Sequence, residues 1–439
     1  MASTSLTRTF SAGDNQTFTF SAWIKNADPD YATDSAIFGN YTDNDNFFKI
    51  DIQGDNNQFR FFNRTSTVST ANVQISAVTR DVSGWYHLVV AVDTTQATAS
   101  DRIKIYVNGT LQSSFVSSTY PSQNTNLEVN KAISHSVGAW NSSQYHDGSM
   151  SHIHFIDGTA YDATAFGEYD ANGVWKIKTS PSVTYGTNGF FILKDGNSVT
   201  DQSGNGNNFT VAGGTLTNTE DSPSNVFATI NILTPVDTTV SNGNLKYSDT
   251  NSNFKGVVGT LGASSGKYYS EVKVVTVGDA HHVGIVDVDQ QQGAVAETPG
   301  SQSNGYSLSN ERDVFNNNGV LSGYTDWTGT YTSGDIIGVA MDLDNNKLYF
   351  SKNGQWSAAD GTWGSTTFNS SIGDIPINSG VTYTFSASAY NGTGEYNFGN
   401  GYFGTTAVAS AGTNASGNGI FEYDVPTGYT ALSTKGLNL

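Results

Sequence analysis

One local pattern, written once in each half of the chain, limits its fold more than any other. Trp85-Tyr86-His87-Leu88-Val89-Val90-Ala91-Val92-Asp93 leads across a polar turn to Ile103-Lys104-Ile105-Tyr106-Val107-Asn108-Gly109. Gly334-Asp335-Ile336-Ile337-Gly338-Val339-Ala340-Met341-Asp342-Leu343-Asp344 leads in the same way to Lys347-Leu348-Tyr349-Phe350-Ser351-Lys352-Asn353-Gly354. An apolar run, a turn and an alternating run ending in Asn-Gly is a β-hairpin running into a tight turn, because Asn and Gly accept the positive φ that such turns require. Two such hairpins, far apart in the chain, predict two β-sandwiches in series. Sandwiches of this kind usually bind and seldom catalyse.

The 439 residues are enough for two or three domains with separate cores. Lys and Arg number 20 against 39 Asp and Glu, a formal charge of −19. No basic tract is present, so nucleic acid is not an expected partner: neutralising phosphates takes clustered Lys and Arg. The dispersed acidity is a solubility device. Charged residues make up only 13% of the chain, well under the usual quarter, and neutral polar residues take their place. Cysteine is absent, whereas a secreted eukaryotic ectodomain of this size would carry disulfides. That points to a bacterial or viral protein stabilised by packing. The stretch Met1 to Phe10 lacks the basic and apolar regions of a signal peptide. No apolar run approaches the roughly 20 residues of a membrane span, so membrane insertion is not expected.

Strand patterning dominates. Thr17-Phe18-Thr19-Phe20-Ser21-Ala22-Trp23-Ile24, Phe47-Phe48-Lys49-Ile50-Asp51-Ile52 and Gln58-Phe59-Arg60-Phe61-Phe62 alternate with the period of half-buried strands, and Asn/Asp/Gly clusters separate them. One helical turn is expected in the first half, starting on Asp162 as N-cap and stopping at Gly167. The fold class is therefore all-β, two tandem antiparallel sandwiches. The expected boundaries are a first sandwich over 1–215, a proline-bearing linker over 216–238, a second sandwich over 239–400, and a Gly/Ser-rich segment with a C-terminal tail over 401–439.

The first half resembles the laminin-G-like, concanavalin A-like lectin superfamily. The resemblance is carried by Phe20-Ser21-Ala22-Trp23-Ile24-Lys25, Gly84-Trp85-Tyr86-His87-Leu88-Val89-Val90, Ile105-Tyr106-Val107-Asn108-Gly109 and Asp201-Gln202-Ser203-Gly204-Asn205-Gly206-Asn207. The last of these usually lies near the start of such domains, so its late position implies a permuted edge strand. The second half is similar to SPRY domains, on Gly266-Lys267-Tyr268-Tyr269-Ser270-Glu271-Val272 and the Asp335–Gly354 hairpin. The tandem, with Phe155-Ile156-Asp157-Gly158-Thr159-Ala160 and Tyr185-Gly186-Thr187-Asn188-Gly189-Phe190, resembles virion proteins of tailed marine bacteriophages. That implies a place on the virion surface, after synthesis in the host cytoplasm, and partners that are other virion proteins or a host-surface glycan or protein. Phage appendages are frequently trimers, so a homo-trimer is an alternative to a monomer, although no coiled-coil heptad specifies it.

Catalysis is not expected. A glycosidase needs two carboxylates flanking the scissile bond, and the Glu-x-Asp-x-x-Glu spacing of concanavalin-like glucanases occurs nowhere. Asp342 and Asp344 bracket a turn, where Asp commonly bonds its own backbone. His152-Ile153-His154 places two imidazoles on one strand face, yet zinc needs a further ligand, so no metal site is expected. Calcium is the one cofactor left open, through Asp43-Asn44-Asp45-Asn46 or Asp195 with Asp201, against the plainer reading of Asn/Asp turns. Ligand contact is expected where an aromatic face adjoins planar amides and carboxylates, as pyranose rings require. Trp140, Asn141, Gln144 and Tyr145 form one such loop, and Tyr324, Asp326 and Trp327 another. The expected role is a non-enzymatic tail fibre or receptor-binding protein. A head or tail decoration protein, a bacterial surface adhesin and a glycan-degrading enzyme are the alternatives.

Overall fold

Phe18, Phe20, Ala22 and Ile24 alternate along the strand Thr17–Asn26 and are all fully buried, as the period of a pleated strand demands. The computed structural model describes residues 4–29, 33–194, 198–233, 238–250, 254–290, 298–324, 329–358 and 362–438. Two units divide it, Met1–Asn218 and Thr219–Leu439. In both, the regular secondary structure is almost all strand, paired mainly antiparallel, and among the described residues no helix is long and apolar enough to cross a membrane.

In the first unit an eight-stranded sheet runs in the order Phe115–Thr119, Val68–Val78, Gln58–Thr65, Asn46–Gln53, Ser35–Asp43, Ser134–Val137, Ser5–Thr9, Thr210–Gly213. It faces a six-stranded sheet in the order Phe190–Ile192, Gly148–Asp157, Thr17–Asn26, Tyr86–Asp93, Ile103–Val107, Thr110–Leu111. Phe20 of one sheet stacks on Phe38 of the other with ring centroids 5.0 Å apart, within a core that includes Phe48, Phe61, Leu88, Val90 and Phe155. The Asp-x-Ser-Gly-Asn-Gly-Asn stretch is a structural knot. Asp201 accepts from the N–H groups of Phe191, Ser203 and Asn207 and from the Ser203 hydroxyl. It leads into Thr210–Gly213, which pairs with the first strand, Ser5–Thr9, at the sheet edge.

Both Asn-Gly turns adopt one geometry. Asn108 has φ 48° and Gly109 φ 80°, and Asn353 has φ 49° and Gly354 φ 76°. The Asn108 side chain accepts from the His87 N–H at 2.8 Å, and Asn353 accepts from the Ile336 N–H at 2.8 Å. Each Asn thus also ties the turn to the first residues of the partner strand.

The outer face of the six-stranded sheet carries a further layer, supplied by residues of the 158–190 stretch. Asp162 caps a short 3₁₀ turn, Ala163–Ala165, with its carboxylate accepting from the Thr164 N–H, and Gly167 opens a strand. The Gly167–Tyr169 and Trp175–Ile177 hairpin then lays Trp175 across His87, the indole N–H donating to His87 Nδ1 at 2.9 Å. The indole fits because Gly109 and Gly167 lack side chains: a Cβ at either would lie 2.4 Å from the ring.

In the second unit, strands including Lys267–Thr276, Ile336–Asp342, Lys347–Lys352 and Thr393–Asn397 form one large sheet. Lys255–Val258, Tyr383–Tyr390, Ala280–Asp287, Tyr306–Ser309, Val314–Asn316 and Gly319–Val320 form the other. Val272, Val283, Ile285, Ile337, Val339, Phe385 and Phe398 lie in the core of this unit. Here the chain differs from the expected linker and tail. Phe227, Ala228 and Ile230 are fully buried in this unit, and so are Phe403, Phe421, Val425, Tyr429 and Leu432. Phe227, Phe421 and Tyr429 join Tyr269, Tyr349 and Trp356 in a second apolar cluster. Thr430 and Ala431 pair in parallel with Tyr268 and Tyr269. The cause is long-range: the Gly-rich chain after 400 has aromatic anchors spaced without period, and they bury only against a strand far back in sequence.

Candidate binding site

The four-residue turn Trp140–Ser143 closes on itself, with Trp140 N–H donating to Ser143 O and Ser143 N–H to Trp140 O, each at 2.9 Å. Its central residues Asn141 and Ser142 have φ 50° and 51°, the hairpin conformation with positive φ at both positions, and Gln144 follows at φ 48°. The turn leans over the outer face of the eight-stranded sheet. There Phe47, Lys49, Asp51, Arg60 and Phe62 project, because their neighbours Phe48, Ile50, Ile52, Phe59 and Phe61 fill the core.

The Trp140 indole N–H donates to Asn40 O at 3.0 Å, which fixes the half-buried ring. Tyr41 and Phe47 meet it edge-on at 5.1 Å and 4.8 Å, and Phe62 stacks on Phe47 at 5.6 Å. The Lys49 ammonium stands 5.2 Å from the indole centroid, in reach of a cation–π contact. It also donates to Gln144 Oε1 at 3.1 Å. Beside the aromatics lies a charge quartet. Lys49 reaches Asp34 at 2.5 Å and Asp51 at 2.9 Å, while Arg60 reaches the same two at 2.6 Å and 2.7 Å. Asp51 is wholly buried and the Lys49 side chain is 7% exposed. Burial alone would raise the Asp34 pKa, but Lys49 and Arg60 outweigh it and hold it below the ordinary carboxylate value. Burial opposes the Arg60 charge, and Asp51 and Asp34 overcome it, raising its pKa above the ordinary value.

Of the residues expected from the first loop, Trp140 and Gln144 are therefore brought together with Lys49, Asn141 stands exposed on the turn, and Tyr145 is half-buried. Asp34, Lys49, Asp51 and Arg60 are not evident as site residues from local sequence. Their one signal is the charge at outward positions of strands whose other face is apolar. In the second loop, Tyr324 packs against the core and donates its hydroxyl to Asp374 O at 2.8 Å, so it serves structure. Asp326 and Trp327 lie outside the described residues, as does Asp195.

The described carboxylates named as candidate calcium ligands make hydrogen bonds within their own turns. Asp43 accepts from the Asp45 N–H and the Asn46 amide, and Asp201 is occupied as described above. The alternation through His152 is broken by a bulge at φ 48°, and His154 is stacked on Phe191 at 3.9 Å and bonded to Tyr185. Among the described residues no three His, Asp or Glu side chains converge to hold a metal ion.

Residues 2–164 match the family model described as the concanavalin A-like lectin/glucanases superfamily. Among solved structures the chain is similar to the SPRY domain of human HERC1, at 14% identity over 36% of this chain and 91% of that one, with a TM-score of 0.27. It is also similar to a human SPRY domain, at 16% identity over 36% and 93% with a TM-score of 0.27. A third is the TRIM65 PSpry domain, at 12% identity over 38% and 89% with a TM-score of 0.29. No curated protein matches the chain significantly. The Trp140 site thus lies within the stretch that matches the concanavalin A-like lectin/glucanases model.

Proposed function

We propose that this is a non-enzymatic binding protein whose first sandwich grips a host-surface glycan at the Trp140 turn, acting on a phage virion as a tail fibre or receptor-binding protein. The observation that carries the binding reading is the half-buried indole beside exposed amide and hydroxyl side chains, with Lys49 across its ring. Sugars stack a C–H face on such a ring and bond their rim hydroxyls to planar amides. The virion setting rests on the resemblance of the sequence to phage virion proteins and on the lack of cysteine.

A catalytic role for the same face is disfavoured by its charges. A glycoside hydrolase needs one carboxyl kept protonated as general acid, and here both carboxylates are ion-paired to two cations, with Asp34 held ionised. On a glycan array, the wild-type protein is expected to retain host-surface polysaccharides, and Trp140→Ala to weaken retention about tenfold, the equivalent of one lost aromatic contact of about 1.4 kcal/mol. Unchanged retention by Trp140→Ala would remove the site from the reading. Low copy number per purified particle is expected for the tail assignment; the high copy number of a decoration protein would contradict it.

A further inference from the structure

We infer that the ligand of the Trp140 site is an uncharged, hydroxyl-rich glycan that lies across three adjacent turns, an inference that rests on the binding reading above.

The first ground is charge. Among the described residues every cation around the aromatic platform is already matched: Lys49 and Arg60 by Asp34 and Asp51, and Arg64 by Asp45 at 3.7 Å. Drawing Lys49 or Arg60 toward a ligand anion would strip counter-charge from Asp51, which has no exposure to water. An acidic sugar chain would also approach a protein of net charge −19. A neutral one meets neither penalty.

The second ground is where the backbone is strained. The turn at Ser66 and Thr67 carries φ 48° and 71°, and a β-branched residue at such a φ is a marked outlier. This turn adjoins the Asp43–Asn46 turn: Ser66 N–H donates to Asn46 Oδ1 at 3.1 Å and Thr67 N–H to Asp45 O at 3.4 Å. That turn in turn meets the platform through Tyr41, which bonds Asn44 at 2.9 Å and abuts Trp140. At Ser66, Thr67 and Ser142 a glycine would relax the backbone. Each instead presents an exposed hydroxyl, and Asn141 presents an exposed amide. Strain kept at neighbouring turns around one aromatic platform is a mark of ligand contact, and uncharged donor–acceptor groups match sugar hydroxyls.

Matched probes test this: affinity electrophoresis of the full chain in gels of neutral polysaccharides (dextran, galactomannan, galactan) and of acidic ones (dextran sulfate, alginate, polygalacturonate). Retardation by a neutral polymer is expected, lost about tenfold in Trp140→Ala and unchanged between about 0.05 and 0.5 M salt, where exposed charge contacts would be screened. Thr67→Gly and Ser142→Gly, which keep the fold, are each expected to raise the melting temperature by about 2–4 °C. Each is also expected to weaken that retardation about threefold, the loss of one hydrogen bond. Trp140-dependent binding confined to acidic polymers, or abolished by salt, would overturn the inference while leaving the binding reading intact. Glycine variants that bind as well as wild type would remove the turns from the site. Absence of any Trp140-dependent retardation would defeat the binding reading itself, and this inference with it.

Discussion

Acidification from pH 7 to 5 is expected to unfold the first sandwich well before the second. Burial, the first cause in each case, holds His87 and His135 at about 3 and His146 at about 4, with His154 well below 6.5. Among the described residues, none of the four is bonded to a carboxylate that would favour its cation. His87 meets Ser21 and Trp175, His135 meets Asn40 and Ile133 O, His146 meets Ser35, and His154 meets Tyr185, with Lys194 and His152 adding positive charge nearby. A folded pKa depressed below the unfolded value means stability that is whole above about 6.5 and lost as pH falls toward the folded value. At pH 5 His87, His135 and His146 each remove about 2 kcal/mol, about 6 together, and His154 acts in the same direction, a large share of a domain's 5–15.

The second sandwich has only two buried histidines of this kind, His281 and His282, both near 3 through burial. Glu271 works against them. Burial pushes its carboxyl up to about 7, although the N–H groups of Glu422 and Tyr423, then Tyr269 and Asn397, favour its ionised form. A raised folded pKa gives stability that is whole below about 4.5 and lost as pH rises through 7, so acidification from pH 7 to 5 returns about 2 kcal/mol here. Calorimetry at pH 7, 6 and 5 should show the first sandwich's transition falling by about 12 °C or more, at about 2–4 °C per kcal/mol, and the second's by about 4–8 °C. Parallel shifts of the two transitions would refute this account.

Replacing Glu271 by Ala is expected to cost the second sandwich about 3–5 kcal/mol. The side chain lies wholly buried on the strand Lys267–Thr276. It accepts from Glu422 N–H and Tyr423 N–H at 2.9 Å each, from Tyr269 at 3.1 Å and from Asn397 at 3.3 Å. Removing it takes an acceptor from all four donors, of which Tyr269 and Asn397 are wholly buried. The second transition should fall by about 10 °C, with the first unmoved, and chymotrypsin should gain access at Phe421, Tyr423 and Tyr429. Glu271→Gln should lose less, because one acceptor oxygen survives, and should abolish the pH dependence near 7. A full-sized second transition in Glu271→Ala would show that these bonds do not hold the 421–432 segment in place.

What was legible in the sequence was whatever is coded locally. Asn108-Gly109 and Asn353-Gly354 announce their hairpins because few other residue pairs tolerate the required φ. Phe18, Phe20, Ala22 and Ile24 announce a buried strand face by period alone. Asp162 announces a cap. What stayed hidden depends on distant partners. Lys49, Asp51 and Arg60 look like ordinary outward charges until the fold brings Asp34 and Gln144 beside them. Phe227 looks like part of a linker and Tyr429 like part of a tail, since neither belongs to a periodic run and both bury only against Tyr269 and its neighbours. The loop of Trp140, Asn141, Gln144 and Tyr145 was marked by composition, but its aromatic companions Tyr41, Phe47 and Phe62 sit on other strands.

The burial of residues 421–432 against the Tyr269 strand has a consequence for biosynthesis. Thr430 and Ala431 complete a ladder begun at Tyr268 and Tyr269, so this sandwich keeps a sticky aromatic surface uncovered while the ribosome is still translating. Only once that segment clears the exit tunnel can the domain shut, and until then its uncovered aromatic surface is open to a chaperone.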